Sequence, residues 1–216
     1  MKIIIYAHPE NKTSHNAMVL REVISNFKNL NKEFQVIDLY EDKFNPILSN
    51  DEYNLKANPD PLVLKYQKMI KDSDEVVFIF PVWWNSAPAM LKGFFDRVIT
   101  PGFAYNFKPF PTGLPMYFMD SIGKYFLEYN FIYNIVTRLI PIERHLTGIN
   151  AVVINTFGGP EISYRLYHKN PSEVIDQAIL EFCGMKVKRI NWFNAQRFKE
   201  IPQSIKDQIA TSLKKN

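Results

Sequence analysis

At 216 residues, 46% hydrophobic and 22% charged, the chain has the length and composition of one globular domain with enough apolar residues to fill a core. The net charge of +4 is modest; with no zinc-ligand spacing, no dense basic run and no nucleic-acid motif, it argues against a metal site and against nucleic acid as a partner. The single cysteine, Cys183, rules out an intrachain disulfide, and no signal-peptide pattern precedes the first strand, so a reducing cytoplasm is the expected location.

In chain order, strands are expected at about 2–7, 34–39, 75–80, 150–155 and 186–193, and helices at about 16–29, 61–72, 88–99, 171–182 and 202–214. That alternation implies a parallel sheet covered on both faces, with right-handed crossovers. The first strand, Lys2 to Ala7, gives way to a polar loop, His8-Pro9-Glu10-Asn11-Lys12-Thr13-Ser14-His15-Asn16, which runs into a helix. Free backbone N–H groups and the helix dipole favour an anion there, with hydroxyls and imidazoles as further donors. Neither Gly-x-Gly-x-x-Gly nor Gly-Lys-Ser/Thr occurs, so side chains and loop amides must hold any phosphate. On position alone, His8 and His15 are equally well read as loop or capping histidines.

The third strand, Glu75 to Phe80, breaks into Pro81-Val82-Trp83-Trp84-Asn85-Ser86 and then a helix with Pro88 in its first turn. Tryptophans at the carboxyl end of a parallel strand suit a flat ligand, because open α/β sheets bind ligands beyond that edge. Consecutive side chains of an extended segment point to opposite sides, so Trp83 and Trp84 are not expected to share one core. Gly158-Gly159, after the fourth strand, lets backbone approach a ligand closely, or simply makes a turn. Phe103, Tyr105, Phe107 and Phe110 beside Pro109 and Pro111 read as local packing. Between 121 and 140 an apolar face of Ile122, Tyr125, Phe126, Tyr129, Ile132, Tyr133, Val136, Leu139 and Ile140 predicts an amphipathic helix too polar to span a bilayer.

Ala7-His8-Pro9 with Ser14-His15-Asn16, Asp38-Leu39-Tyr40 with Phe44-Asn45-Pro46, Phe80 to Gly93, and Gly102-Phe103-Ala104-Tyr105 occur in the order of the flavodoxin-like NAD(P)H:quinone oxidoreductases. This is the family of DT-diaphorase, modulator-of-drug-activity reductases and the ancillary proteins of glutathione-gated potassium efflux. The chain resembles it over about 1–113 and 147–195; Thr156-Phe157-Gly158-Gly159 is similar to its flavin-edge loop. The resemblance implies an α/β, flavodoxin-like, doubly wound five-stranded parallel sheet of order 2-1-3-4-5, with an inserted helical segment around 114–146.

It also implies a flavin, FAD or alternatively FMN, held by His8, Thr13, Ser14, His15, Asn16, Ala17, Pro81, Val82, Trp83, Trp84, Asn85, Thr156, Phe157, Gly158 and Gly159. NAD(P)H is then the co-substrate, and a quinone or other small aromatic the acceptor, in two-electron ping-pong transfer. Fixed backbone N–H groups near the glycine pair would stabilise the reduced ring. Tyr164 matches a proton-supplying tyrosine of the family. His168 stands near the family's histidine but closer to Tyr164, with Asn170 nearer its register. Tyr105 and Phe107 match aromatics placed over the partner subunit's flavin in a homodimer. The insertion would serve as a lid, a dimer contact, a membrane-surface element or simply an extra packed helix; membrane contact is the least favoured of its functional roles, since the stretch carries few basic residues. The second functional reading is a flavin-containing regulatory subunit of a membrane transporter, with incidental reductase activity.

Overall fold

The computed structural model describes residues 1–54, 56, 60–108, 142–168 and 175–214. Five parallel strands, β1 (Lys2–Tyr6), β2 (Phe34–Asp38), β3 (Glu75–Pro81), β6 (Asn150–Thr156) and β7 (Lys186–Trp192), lie in the order β2-β1-β3-β6-β7. This is the expected 2-1-3-4-5 topology. The central strands are apolar through their middles, at Ile3–Tyr6, Val76–Phe80 and Ala151–Ile154, because helices cover both faces. Ile3, Ile5, Val76, Phe78, Phe80, Ala151 and Val153 face one layer, and Ile4, Tyr6, Val77, Ile79, Val152, Ile154, Ile190 and Trp192 the other. The register aligns Ile5 with Phe78 and Ile79 with Ile154, so the two sets stay on their own sides.

Helices α1 (His15–Asn29) and α6 (Gln203–Lys214) bury Val19, Val23, Phe27, Ile205, Ile209 and Leu213 against the second face. Helices α3 (Pro61–Lys71) and α4 (Ala89–Val98) cover the first with Val63, Tyr66, Ile70, Leu91, Phe94, Phe95 and Val98. Each start has a local cause. Ser14 accepts the Ala17 N–H as N-cap of α1, and Asp60 accepts the Leu62 N–H ahead of Pro61 at the first position of α3. Pro88 is the N-cap of α4 rather than part of its first turn.

The long connection from β2 to α3 is strapped to α4 at two points. A Cβ on Gly93 would lie 2.1 Å from the Pro46 carbonyl oxygen, so only glycine permits this approach. Arg97, its side chain 4% exposed, donates to Glu52, to Asp60 Oδ2 at 3.0 Å and to the Asn45 carbonyl, with its guanidinium over the Phe44 ring. Glu52 sits on a short helix, α2 (Asn50–Tyr53), outside the segments where helices are expected.

Four other elements differ from expectation. Strand β4 (Tyr105–Phe107) pairs antiparallel with β5 (Ile142–Arg144), so the last residues of the presumed helical insertion are a strand. Helix α5 (Glu161–His168) follows β6 directly. Within the helix expected over 171–182, Asp176–Glu181 form a π-helical turn, and residues 171–174 lie outside the described residues, as does the whole of 121–140. Among the described residues no helix is long and apolar enough to cross a membrane.

Candidate functional site

Parallel strands deliver their carboxyl ends to one edge, and the loops leaving β1, β3, β6 and β7 are stitched together there. Val82 N–H donates to the Thr156 carbonyl at 2.9 Å, Phe157 N–H to the Trp192 carbonyl at 2.9 Å, and Ala195 N–H to the Phe157 carbonyl at 2.9 Å. Between them opens a cleft of about 410 Å³ lined by His8, Ser14, His15, Asn16, Pro81, Val82, Trp83, Trp84, Thr156, Phe157, Gly158, Tyr164, Ala195 and Gln196. The volume falls in the range of small-molecule sites.

On the β1 side, the start of α1 presents the amides of His15 and Asn16, positions at which a helix has no internal acceptor to offer. The Asn16 side chain is 3% exposed; its Nδ2 donates to Thr156 Oγ1 at 2.8 Å, while Oδ1 has no partner among the described residues. A buried acceptor on a cleft wall with no donor from the protein is open to a hydrogen bond from whatever occupies the cleft. His15 also turns its ring edge to Trp192, 5.3 Å between centroids, and its Nε2 lies 2.9 Å from the Phe198 carbonyl. Its imidazole therefore ties α1 to the loop after β7, and its backbone N–H is the group at the helix start.

The preceding loop is wrapped around Glu10. The Glu10 carbonyl accepts from Tyr6 Oη at 2.8 Å and Ser14 Oγ at 2.7 Å, and the Glu10 N–H lies 3.0 Å from His8 Nδ1, leaving His8 Nε2 as the ring's other nitrogen. Burial pushes the Tyr6 hydroxyl up to about 12, so it remains a donor. The Glu10 carboxylate accepts the backbone N–H of Lys12 at 2.6 Å, that of Thr13 at 2.8 Å, and that of Ser14. Hydrogen bonds led by Thr13 N–H hold this carboxyl down at about 2.

At the end of β3 the expected extended run over 82–85 is a tight turn. Trp83 and Ser86 exchange both backbone hydrogen bonds at 3.0 Å, and Trp84 and Asn85 take φ of 48° and 62°. Both central residues are left-handed, as in a type I′ turn, which Asn accepts and Trp resists. The turn aims Trp84 wholly into solvent at the cleft mouth, while Trp83, 5.9 Å from the His8 ring, forms the wall. The two tryptophans line one cleft rather than diverging to opposite sides of a strand. Strain of this kind in a bulky residue is concentrated at functional sites.

Opposite lies an aromatic group: Phe157 stacks on Phe193 at 4.4 Å and meets Tyr164 edge-on at 4.8 Å. A Cβ on Gly159 would meet Tyr164 Cε2 at an ordinary van der Waals distance of 3.4 Å, so the tyrosine on α5 packs directly over this glycine.

Not every anticipated residue reaches the cleft lining. Thr13 is engaged with Glu10, Ala17 is buried behind the start of α1, and Asn85 and Gly159 stand one residue outside. Tyr105 and Phe107 lie elsewhere on β4 against Phe182, with ring centroids at 4.9 and 6.2 Å. His168 ends α5, and its side chain lies outside the described residues. Sequence reasoning missed Ala195 and Gln196, although the rule that ligands sit beyond strand carboxyl ends would have flagged the segment after β7. Among the described residues no cluster suited to a metal ion occurs.

A family profile for the flavodoxin-like fold matches residues 1–215. An NAD(P)H oxidoreductase of Haemophilus influenzae, itself uncharacterised, is 37% identical over 109 residues, which are 48% of this chain and 52% of that protein. The NAD(P)H dehydrogenase [quinone] 1 of Cavia porcellus is 34% identical over 124 residues, covering 49% of this chain and 45% of that one. The chain thus spans about half the length of the curated relatives it matches. Among solved structures, Smu.1420 of Streptococcus mutans superposes with a TM-score of 0.68 at 26% identity, over 99% of this chain and 96% of its own.

Proposed function

The chain belongs to the family with the flavodoxin-like fold, and on that premise we propose that it is a flavoprotein that uses NAD(P)H to reduce quinone-like acceptors. The observation that carries the reading is the convergence, in one cleft, of the α1 start with the orphaned Asn16 Oδ1, the Trp83–Ser86 turn and the Thr156–Gly158 loop. The names of the Haemophilus and Cavia relatives support the reaction class.

The residues present fit a flavin. The amides of His15 and Asn16, with Ser14 and His8, would hold its phosphate at the positive end of α1. Asn16 Oδ1 would take a hydroxyl or N–H from the ligand. Trp83, Pro81 and Val82 would bound the flat ring on one edge, and Thr156, Phe157 and Gly158 on the other. Bound there, the flavin supplies reversible two-electron chemistry between a nicotinamide and a quinone. Tyr164, on the cleft wall, would supply a proton to the acceptor. Trp84, fully exposed at the mouth, offers a face on which a flat acceptor stacks.

FAD is our choice of cofactor, with FMN the alternative. A homodimer is part of the same reading: Phe107 is 58% exposed on β4, and a partner subunit's cleft would bring Tyr105 and Phe107 over its flavin. The buried free thiol of Cys183 is in keeping with a reducing, cytoplasmic setting. The test is direct. Denaturing the purified protein should release a flavin identifiable by mass and spectrum, and NAD(P)H should bleach the bound colour, with a quinone restoring it and parallel double-reciprocal plots. A protein that takes up neither FAD nor FMN at micromolar concentration is not this enzyme.

A further inference from the structure

Gln196 lines the cleft from the segment after β7, and the flavin assignment above makes no use of it. Its backbone is held on both sides. Asn194 N–H donates to the Gly159 carbonyl at 3.0 Å and Ala195 N–H to the Phe157 carbonyl at 2.9 Å, which fastens the turn Ala195–Arg197 to the loop after β6. Arg197 N–H and Phe198 N–H close that turn on the Asn194 and Ala195 carbonyls at 2.9 and 3.0 Å, and Asn194 enters it with a left-handed φ of 53°. Ala195 itself is buried, so an exposed side chain is carried on fixed backbone. A Cβ built on Gly158 would lie 3.8 Å from Gln196 Oε1, which places the carboxamide beside the bare backbone of that glycine.

The state of the neighbouring polar groups singles Gln196 out. His8 Nδ1 lies against the Glu10 N–H, Ser14 Oγ donates to the Glu10 carbonyl, His15 Nε2 lies against the Phe198 carbonyl, and Asn16 Nδ2 donates to Thr156 Oγ1. Gln196 makes no such contact among the described residues, so both ends of its carboxamide are open to a ligand. A carboxamide sets donor and acceptor side by side and pairs best with a ligand edge that does the same. The two walls of the cleft also differ in character. Pro81, Val82 and Trp83 offer apolar surface, whereas Thr156, Gly158 and Gln196 offer a hydroxyl, open peptide backbone and the carboxamide.

We infer that Gln196 recognises the imide edge of the flavin and so sets which way round the ring lies in the cleft. The inference rests on the flavin reading. A flavin ring is apolar along its dimethylbenzene edge and carries, at its other end, an imide N–H between two carbonyls. With the imide toward Gly158 and Gln196, the apolar edge meets Trp83 and Val82; the reverse orientation presses the imide against groups that cannot hydrogen-bond it. Gln196 accepts from the imide N–H and donates to an adjoining carbonyl. It is a specificity residue for the ring, separate from the contacts that hold the phosphate.

The test titrates the flavin-stripped full chain, followed by fluorescence, with FMN and with FMN methylated at the imide nitrogen. Both carry the same phosphate, so contacts at the start of α1 cancel in the ratio. Wild type should bind FMN about tenfold more tightly than the methylated form. Gln196→Ala and Gln196→Met, the second of which keeps the side chain's length, should bind FMN about three- to tenfold more weakly and treat the two flavins alike. Gln196 is exposed, so neither variant disturbs the core, and circular dichroism checks the fold. A preference for FMN that is the same size in the variants as in wild type overturns the inference. So does a variant that leaves both flavins unaffected but raises KM for NAD(P)H, which assigns Gln196 to the nicotinamide carboxamide instead. Wild type that takes up neither flavin sinks the flavin reading itself, a result distinct from equal discrimination by proteins that bind.

Discussion

Asn16→Leu separates what the site does for folding from what it does for a ligand. Leucine is nearly isosteric with asparagine, so the substitution removes the carboxamide without opening a large cavity at a position only 3% exposed. In the flavin-free protein two effects oppose each other. The hydrogen bond from Nδ2 to Thr156 Oγ1 at 2.8 Å is lost, a net cost of about 1 kcal/mol. The orphaned buried Oδ1 disappears as well, which returns about 1–3 kcal/mol of desolvation penalty. The flavin-free variant should therefore stay within about 2 kcal/mol of wild type, in either direction, which is a shift of less than about 8 °C in Tm for a chain of this size. Ligand binding has no such compensation: one hydrogen bond to the ligand is lost, so flavin affinity should fall about tenfold. Thermal melts of the stripped proteins and fluorescence titration with FMN and FAD measure the two quantities separately. A stripped variant destabilised by more than about 4 kcal/mol, or one that binds flavin as tightly as wild type, would refute the assignment of Oδ1 to the ligand.

Tyr164→Phe keeps the ring against Phe157 and should slow the chemical step by up to about 10²-fold, with water substituting in part; an unchanged kcat in stopped-flow reoxidation returns Tyr164 to packing alone. Gly93→Ala drives a methyl into Pro46 and should cost more than about 2 kcal/mol in urea denaturation, since backbone has to move. Arg97→Met should cost about 3 kcal/mol by leaving Glu52 and Asp60 without their buried cation, with flavin affinity held if the 44–60 strap is independent of the cleft. The hydrogen bond from Arg97 holds the Glu52 carboxyl below its ordinary value of 4.5. Its stabilisation is present above pH 4.5 and is lost as the pH falls through the lowered folded value, so wild-type stability drops on acidification and the Arg97→Met protein should drop less steeply.

How much of this was legible in the sequence depended on the range of the interactions involved. The central sheet strands were readable because burial on both faces demands apolar runs such as Ile3–Tyr6 and Val76–Pro81, and the α1 start was readable because Ser14 caps it from one residue away. The grouping of His8, Ser14, His15 and Asn16 with Trp83, Trp84 and Thr156–Gly158 also followed, since parallel strands carry their carboxyl ends to one edge. Tertiary structure decided the rest. The left-handed pair Trp84-Asn85 carries no glycine to announce it, and its turn is closed by the Trp83–Ser86 bridge. Strand β4 finds β5 more than thirty residues later in the chain, a pairing that short-range pattern does not encode. Glu10 reads as one more polar loop residue until folding brings three amides onto its carboxylate. Local periodicity and capping fix which segments are strands and helices, because those forces act within a few residues. Which side chains meet across the cleft is set by contacts between distant segments, and these exist only once the sheet has brought the strand ends together.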